Sequence, residues 1–264
     1  KYGLDLSMSY ASSPYGIEGI DNGGVGVTWS QDIGVIKYGA GIGAQMDFVS
    51  IGINEYRFHF AGGVSYDGLS DLVDFLSFID DIALGLNIKL LNYNTSIDLS
   101  GISGFQNNPI GVDLDFDLSF VLLDEVLQVG LMASDLLETE LSFFGLSSTG
   151  AVKRGLILHS SLYALETFRI FMAYNLNGTE HMIPTENFFG SSTALANVYF
   201  GIEADFMDSL FVRVGVNEGR LSGGIGLKVE DLIVNAGVLS ITGLNLYYQV
   251  DVNYRFGDKE IELE

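Results

Sequence analysis

The chain of 264 residues carries a formal net charge of −22, yet 48% of its residues are hydrophobic and its mean hydropathy is +0.31. A soluble protein this acidic normally has a lower apolar fraction, so the polar and apolar residues must be segregated in a regular way. With 34 acidic against 12 basic residues, the chain is a poor partner for nucleic acid, and we expect no such partner.

The segregation follows single residues rather than long segments. A membrane-spanning helix needs about 20 mostly apolar residues in sequence, whereas every apolar stretch here is interrupted within a few residues by Asp, Asn, Gln or Gly. Apolar residues instead recur at every second position, which is the period of a β-strand with two unlike faces. In chain order the alternating runs cover residues 4–10, 36–48, 56–60, 82–90, 110–120, 168–174, 198–206 and 246–256.

Turn sequences separate these runs and indicate hairpins. They stand at residues 21–24 (DNGG), 67–68 (DG), 107–109 (NNP), 177–178 (NG) and 217–219 (NEG). Strands of about 9–12 residues would cross a bilayer at a tilt. The fold class predicted is all-β, a closed antiparallel transmembrane β-barrel with about 12–14 strands. The content of 33 Gly and only 3 Pro favours the curvature that closure needs.

The run IGVDLDFDLSF at 110–120 orients the barrel wall. Asp113, Asp115 and Asp117 share one face of this strand and Phe116 lies on the other. A carboxylate facing lipid is unfavourable, so the aspartates are predicted to face the lumen and Phe116 the acyl chains.

Residues 69–80 (LSDLVDFLSFID) are the one stretch with helical spacing. The pattern is compatible with a short amphipathic helix at a rim or across the lumen mouth, and equally with a loop of partial strand character. The gate or plug candidates that this spacing selects are Leu69, Leu72, Val73, Leu76 and Ile79.

The predicted domain organisation is a single barrel over residues 1–256, followed by an acidic tail at 257–264 (GDKEIELE). A soluble β-sandwich or lipocalin-like barrel is the alternative, but it would not give nearly every strand an apolar face rich in Phe and Tyr. We therefore expect a bacterial outer-membrane location, with membrane lipid, or detergent after purification, as the partner of the outer wall. Tyr2, Tyr10, Trp29, Tyr248 and Tyr254 are predicted members of interfacial aromatic belts.

Parts of the chain resemble the FadL and PorV/PorQ-type outer-membrane superfamily. The resembling stretches are DIALGLNIKLLNYN (81–94), GVDLDFDLSFVLLDEVLQVGLMASDLLE (111–138), YFGIEADFMDSLFVRVGVNEGRLSGGIGLKVEDLIVNAGV (199–238) and the closing LYYQVDVNYRFG (246–257). The resemblance implies an outer-membrane barrel that passes solutes or serves as a docking platform. It does not extend to the "NPAGL"-type segment of the family's lumen plug, so a gate of that kind is not carried over.

Charged residues on the polar side of the alternating runs are the candidate lumen and selectivity residues. They are Asp113, Asp115, Asp117, Glu203, Asp205, Asp251, Arg57, Lys89, Arg213 and Arg255. One interpretation is a lining that prefers cations or orients a ligand. The other is a structural network of ion pairs across the lumen, which small barrels need to fill their interiors.

Metal and catalytic sites are not expected. Side chains at alternate positions of a strand stand about 7 Å apart, so Asp113, Asp115 and Asp117 alone would not enclose a calcium ion. His159 beside Ser160 and Ser161 is the only candidate for an outer-wall hydrolase, and neighbouring strand residues point to opposite faces. We therefore predict a protein that is not an enzyme and has no cofactor or metal.

Two functions remain open at this point. The first is a barrel that binds or passes small apolar or cationic solutes through a narrow acidic lumen. The second is a non-conducting structural or docking barrel, either self-associating or bound to an envelope protein. Inward Phe171, Tyr199, Phe211 and Tyr247 favour a narrow interior over a wide porin.

Overall fold

The protein forms a closed barrel of fourteen antiparallel strands. The computed structural model describes residues 2–12, 20–49, 53–67, 78–95, 109–139, 154–165, 167–176, 197–217, 220–242 and 245–259. The strands are β1 (Tyr2–Ser12), β2 (Ile20–Ile33), β3 (Ile36–Val49), β4 (Ile53–Asp67), β5 (Ile79–Thr95), β6 (Ile110–Leu122), β7 (Leu127–Ser134), β8 (Gly155–Leu165), β9 (Phe168–Asn175), β10 (Val198–Phe206), β11 (Leu210–Asn217), β12 (Arg220–Val229), β13 (Leu232–Thr242) and β14 (Asn245–Lys259).

Each strand pairs with its neighbours in sequence, and β1 closes the sheet against β14. Leu6 at the seam lies between Val27 of β2 and Tyr254 of β14. The predicted fold class is thus confirmed at the upper end of the expected strand number. The described part of the chain contains no helix, and accordingly none that is long and apolar enough to cross a bilayer.

The two faces of the wall follow the alternation in the sequence. On β6, Val112 and Phe116 are 43% and 40% exposed on the outside, whereas the inward Asp113 is fully buried. The aspartate side of the strand therefore points into the barrel and the Phe116 side points outward. The outer wall is apolar all round the barrel, as shown by the exposed side chains of Met8, Val25, Ile42, Phe60, Leu86, Leu131, Leu158, Met172, Phe200, Val214, Ile225, Val238 and Val250.

The two ends of the barrel differ. The turn end holds the start of β1, the end of β14 and the short described turns β2–β3, β6–β7, β10–β11 and β12–β13. The opposite loop end holds the longest connections, 135–154 and 176–197. Several residues in these turns have positive φ angles, among them Gly34, Met207 and Glu230.

Three expectations about segments have different outcomes. The predicted turn at 21–24 is wrong, because Asp21 to Gly24 continue β2 in register with β1 and β3. Most of the proposed helix falls in 68–77, outside the described residues, and Ile79 begins β5 as a strand residue. Strand β14 continues to Lys259, three residues into the segment assigned to the tail.

Candidate functional site

Small residues line a large part of the inner wall. They are Gly24, Gly26, Gly39, Gly41, Gly43, Ala61, Gly63, Ala83 and Gly85 on β2–β5, and Gly201, Gly215, Ser222, Gly224 and Gly237 on β10–β13. At Gly215 a Cβ atom would lie 2.6 Å from the carbonyl oxygen of Phe200, so the wall tolerates only glycine there. Because these inward residues have a small side chain or none, the middle of the barrel is open along these strands.

Among the described residues, four cavities along this small-residue wall share lining residues. A cavity of about 560 Å³ at the turn end adjoins one of about 600 Å³ towards the loop end, and both are lined by Thr28, Gly41 and Ala61. The second cavity in turn shares Tyr247 and Asp251 with a third of about 550 Å³. A fourth, of about 400 Å³, lies against β8–β11. We call the first three, in this order, the turn-end, central and β10–β13 cavities.

Charged side chains occupy the loop end of β3–β7. The guanidinium of Arg57 contacts the carboxylate of Glu55 at 2.5 Å and that of Asp47 at 3.4 Å. Asp47 also accepts a hydrogen bond from the side-chain amide of Asn22 on β2. This group ties three neighbouring strands together.

Lys89 is the centre of a second group. Its ammonium contacts Asp115 at 2.6 Å and also the carboxylate of Asp135. The side-chain amide of Asn87 donates to Asp115 at 2.8 Å and lies 3.3 Å from Nδ1 of His59. With Lys89 only 8% exposed, its charge is balanced within the wall.

Asp113 has a different environment from its two neighbours on β6. Its carboxylate accepts backbone N–H groups from Leu114 at 2.7 Å, Leu137 at 3.1 Å and Thr139 at 3.2 Å. It therefore fixes the chain as it leaves β7 and is shielded from the lumen. Of the three aspartates, Asp117 lines the turn-end cavity, and it lies 2.9 Å from Nε2 of His159.

The remaining predicted residues lie on β10, β11 and β14. Arg213 donates to Glu203 at 2.5 Å and to Asn235 at 2.7 Å, and Arg255 donates to Asp5 at 2.8 Å. One carboxylate oxygen of Asp205 is buried without a hydrogen-bond partner among the described residues. Asp251 lines two cavities and accepts from Gln249 of its own strand at 3.0 and 3.1 Å.

The structure thus brings Lys89 and Asp115 together, and likewise Glu203 and Arg213, but it does not gather all ten residues into one site. Sequence reasoning missed Asp135, which completes the Lys89 group. Asp135 follows β7 with a φ of 53°, so it lies outside the alternating pattern that selected the others, and no signal in the sequence marks it. His159 faces the lumen beside Asp117 rather than the outer wall.

Comparisons with known proteins find similarity of fold among solved structures. No family model and no curated relative matches the chain. Among solved structures, the Pseudomonas putida toluene transporter TodX is similar with a TM-score of 0.53 at 8% identity, over 96% of this chain and 88% of the other. The Ralstonia pickettii toluene transporter TbuX gives 0.52 at 14% identity, over 96% and 87%. At these identities the similarity concerns the fold.

Proposed function

We propose that this protein is an outer-membrane barrel of the FadL-like type that lets small solutes pass through its lumen. The observation that carries the proposal is the row of cavities that extends along β1–β4 from the turn end towards the loop end. Barrels of about eight strands are filled by their own side chains, whereas those of about 16–18 strands leave an aqueous channel. A fourteen-strand wall with glycine at many inward positions leaves a narrow passage.

The outer wall supports a membrane location. Exposed Trp29 and Tyr254 lie near the turn end, and exposed Tyr10 and Tyr248 near the loop end. Tyr248 and Tyr254 are separated by six residues, or about 20 Å along the strand. Aromatic side chains at two levels, with an apolar band between them, are the arrangement of transmembrane barrels. The fold similarity to TodX and TbuX supports the same setting.

Single-channel conductance in planar lipid bilayers tests the proposal. The purified protein is expected to conduct, and Gly43→Phe or Gly237→Phe should reduce the conductance to roughly half or less by narrowing the passage. A Cβ at either position meets nothing closer than 3.4 Å, so the backbone admits a side chain there, and both positions line a cavity.

Outward glycines supply matched controls. Gly62 and Gly223 alternate with inward neighbours and so face the outside of the same sheet, and a Cβ there meets nothing closer than 3.7 Å. Phenylalanine at these two positions should leave the conductance at the wild-type value. If the folded wild-type protein does not conduct, the channel is rejected and a non-conducting docking or structural barrel is favoured. The charged side chains that fill the loop end of β3–β7 are the observation that supports this alternative.

A further inference from the structure

We propose that Asp251 determines the charge selectivity of the lumen and forms a subsite for small monovalent cations. The inference rests on the proposed passage of solutes and specifies which solutes it favours. The candidate lumen charges differ in one respect that the sequence does not reveal, namely whether a basic group already balances them.

Three of the six acidic candidates are engaged within the wall, namely Asp115 with Lys89, Glu203 with Arg213, and Asp113. Asp117 contacts His159, which carries a charge only when it is protonated, and Asp205 lines neither the central nor the β10–β13 cavity. Asp113 is enclosed by backbone N–H groups and has no exposed surface. A cation passing through the lumen would meet Asp115, Glu203 and Asp113 already engaged by a basic side chain or by N–H donors.

Asp251 is placed differently. Among the described residues it is the one carboxylate that lines the central cavity, and the one in the β10–β13 cavity that has no ion pair. Its hydrogen-bond partner is the neutral amide of Gln249, 3.0 Å away. The groups facing it from the adjacent strands, Ser9 on β1 and Asn235 on β13, are uncharged.

The surroundings of this carboxylate are suited to a partly hydrated cation. Neutral oxygen-bearing side chains line the central cavity, among them those of Ser7, Ser9, Asn22, Gln45, Gln249 and Asn253. Because Asp251 lines both cavities, an ion moving between them passes a carboxylate that has no ion pair among the described residues. Carboxylates in such positions select cations by raising their local concentration.

Reversal potentials measured in a KCl gradient across a planar bilayer test this inference. We expect the wild-type channel to prefer K⁺ over Cl⁻, and Asp251→Asn to lower the permeability ratio about threefold, the effect of one unit charge acting over several ångströms of water. Asp251→Lys should reverse the preference. Gln249→Glu, which adds a second carboxylate beside the first, should raise it.

Two controls separate local charge from folding and from net charge. Asp251→Glu keeps the charge and should keep the wild-type ratio. Asp208→Asn removes one charge in the exposed β10–β11 turn and should leave the ratio unchanged. If the channel conducts but Asp251→Asn and Asp251→Lys retain the wild-type ratio, the subsite is rejected while the channel stands. If the folded wild-type protein does not conduct, the proposed function fails and the subsite with it.

Discussion

The Asp113 carboxylate is fully buried and serves as an anchor for the backbone. It accepts three N–H groups, two of which belong to the chain just after β7. A buried acceptor of this kind satisfies donors that would otherwise be left without a partner, and such donors are costly. Its role is thus structural, although the sequence presents it as an equal of Asp115 and Asp117.

Asp113→Asn is expected to lower the free energy of unfolding by about 1–3 kcal/mol. The amide keeps one acceptor oxygen but turns an N–H group towards backbone donors. Urea unfolding of the protein in lipid vesicles measures the change. Asp124→Asn in the exposed β6–β7 turn is the matched control and should have no measurable effect. Equal stability of the two variants would show that the three backbone contacts are dispensable.

Lys89 offers the opposite case, a cation shared by two carboxylates. Lys89→Met leaves Asp115 and Asp135 without their partner in a part of the wall where Lys89 is 8% exposed. The expected loss is about 3 kcal/mol or more, since an uncompensated buried charge remains. The same unfolding measurement applies.

Lys37→Met is the comparison for this variant. Lys37 contacts Asp67 at 3.9 Å and Asp81 at 3.5 Å; its own side chain is 43% exposed, that of Asp67 58% and that of Asp81 16%. Because the ammonium itself is exposed to solvent, these pairs contribute at most about 1 kcal/mol. A loss for Lys37→Met as large as that for Lys89→Met would contradict the distinction between buried and exposed pairs.

At the scale of elements, the β10–β11 turn is built from residues that are unusual for its geometry. Met207 and Asp208 have φ angles of 61° and 56°, and the N–H of Ser209 donates to the carbonyl of Phe206 at 3.3 Å. Two positive φ angles in sequence are what a type I′ turn requires, and Asn-Gly is the preferred pair there. A side chain in this region costs about 1 kcal/mol per residue.

Replacing Met207-Asp208 by Asn-Gly should therefore raise the free energy of unfolding by about 1 kcal/mol. The complementary change is Gly34→Ala in the β2–β3 turn, where φ is 60°, and it should lower the free energy by a similar amount. Both are measured by denaturant unfolding. A destabilising effect of Asn-Gly would mean that Met207 makes contacts which outweigh its backbone strain.

The elements show what alternation predicts and what it cannot. Period two identified the inner and outer faces of β6, because lipid and lumen make opposite demands on successive residues. The same local reasoning misjudged 21–24, whose DNGG letters favour a turn. Asn22 there donates to Asp47 on β3, and Gly24 lies where a Cβ would meet Oγ of Ser9 at 3.0 Å. Contacts with neighbouring strands thus override the local turn propensity.

The candidate site was predictable as a set of inward residues but not as a set of pairs. Alternation placed Lys89, Asp115 and Asp251 on the lumen side. Whether each meets an opposite charge depends on the register between strands and on the reach of the side chains. Lys89 lies opposite Asp113 in the register but contacts Asp115 and Asp135, whereas Asp251 lies opposite the uncharged Asn235. A single sequence carries no direct record of that register, so the distinction between balanced and unbalanced carboxylates required the structure.

At the scale of the whole molecule, the closed sheet carries its apolar side chains on the outside, whereas an ordinary soluble protein buries such side chains in a core. Ile42 is 61% exposed at the middle of β3. In water, replacing such a residue by arginine would leave the free energy of unfolding nearly unchanged, because most exposed positions tolerate substitution. In a bilayer the same change places a charge near the midplane.

Ile42→Arg is therefore expected to lower the free energy of unfolding from lipid vesicles by about 2–4 kcal/mol. Met207→Arg is the control, since Met207 is 94% exposed in the β10–β11 turn and stands at the rim, where the cost falls to about 0–1 kcal/mol. Because the two variants carry the same added charge, only depth in the membrane separates them. Equal stability would place the middle of β3 in water and reject the membrane-spanning barrel.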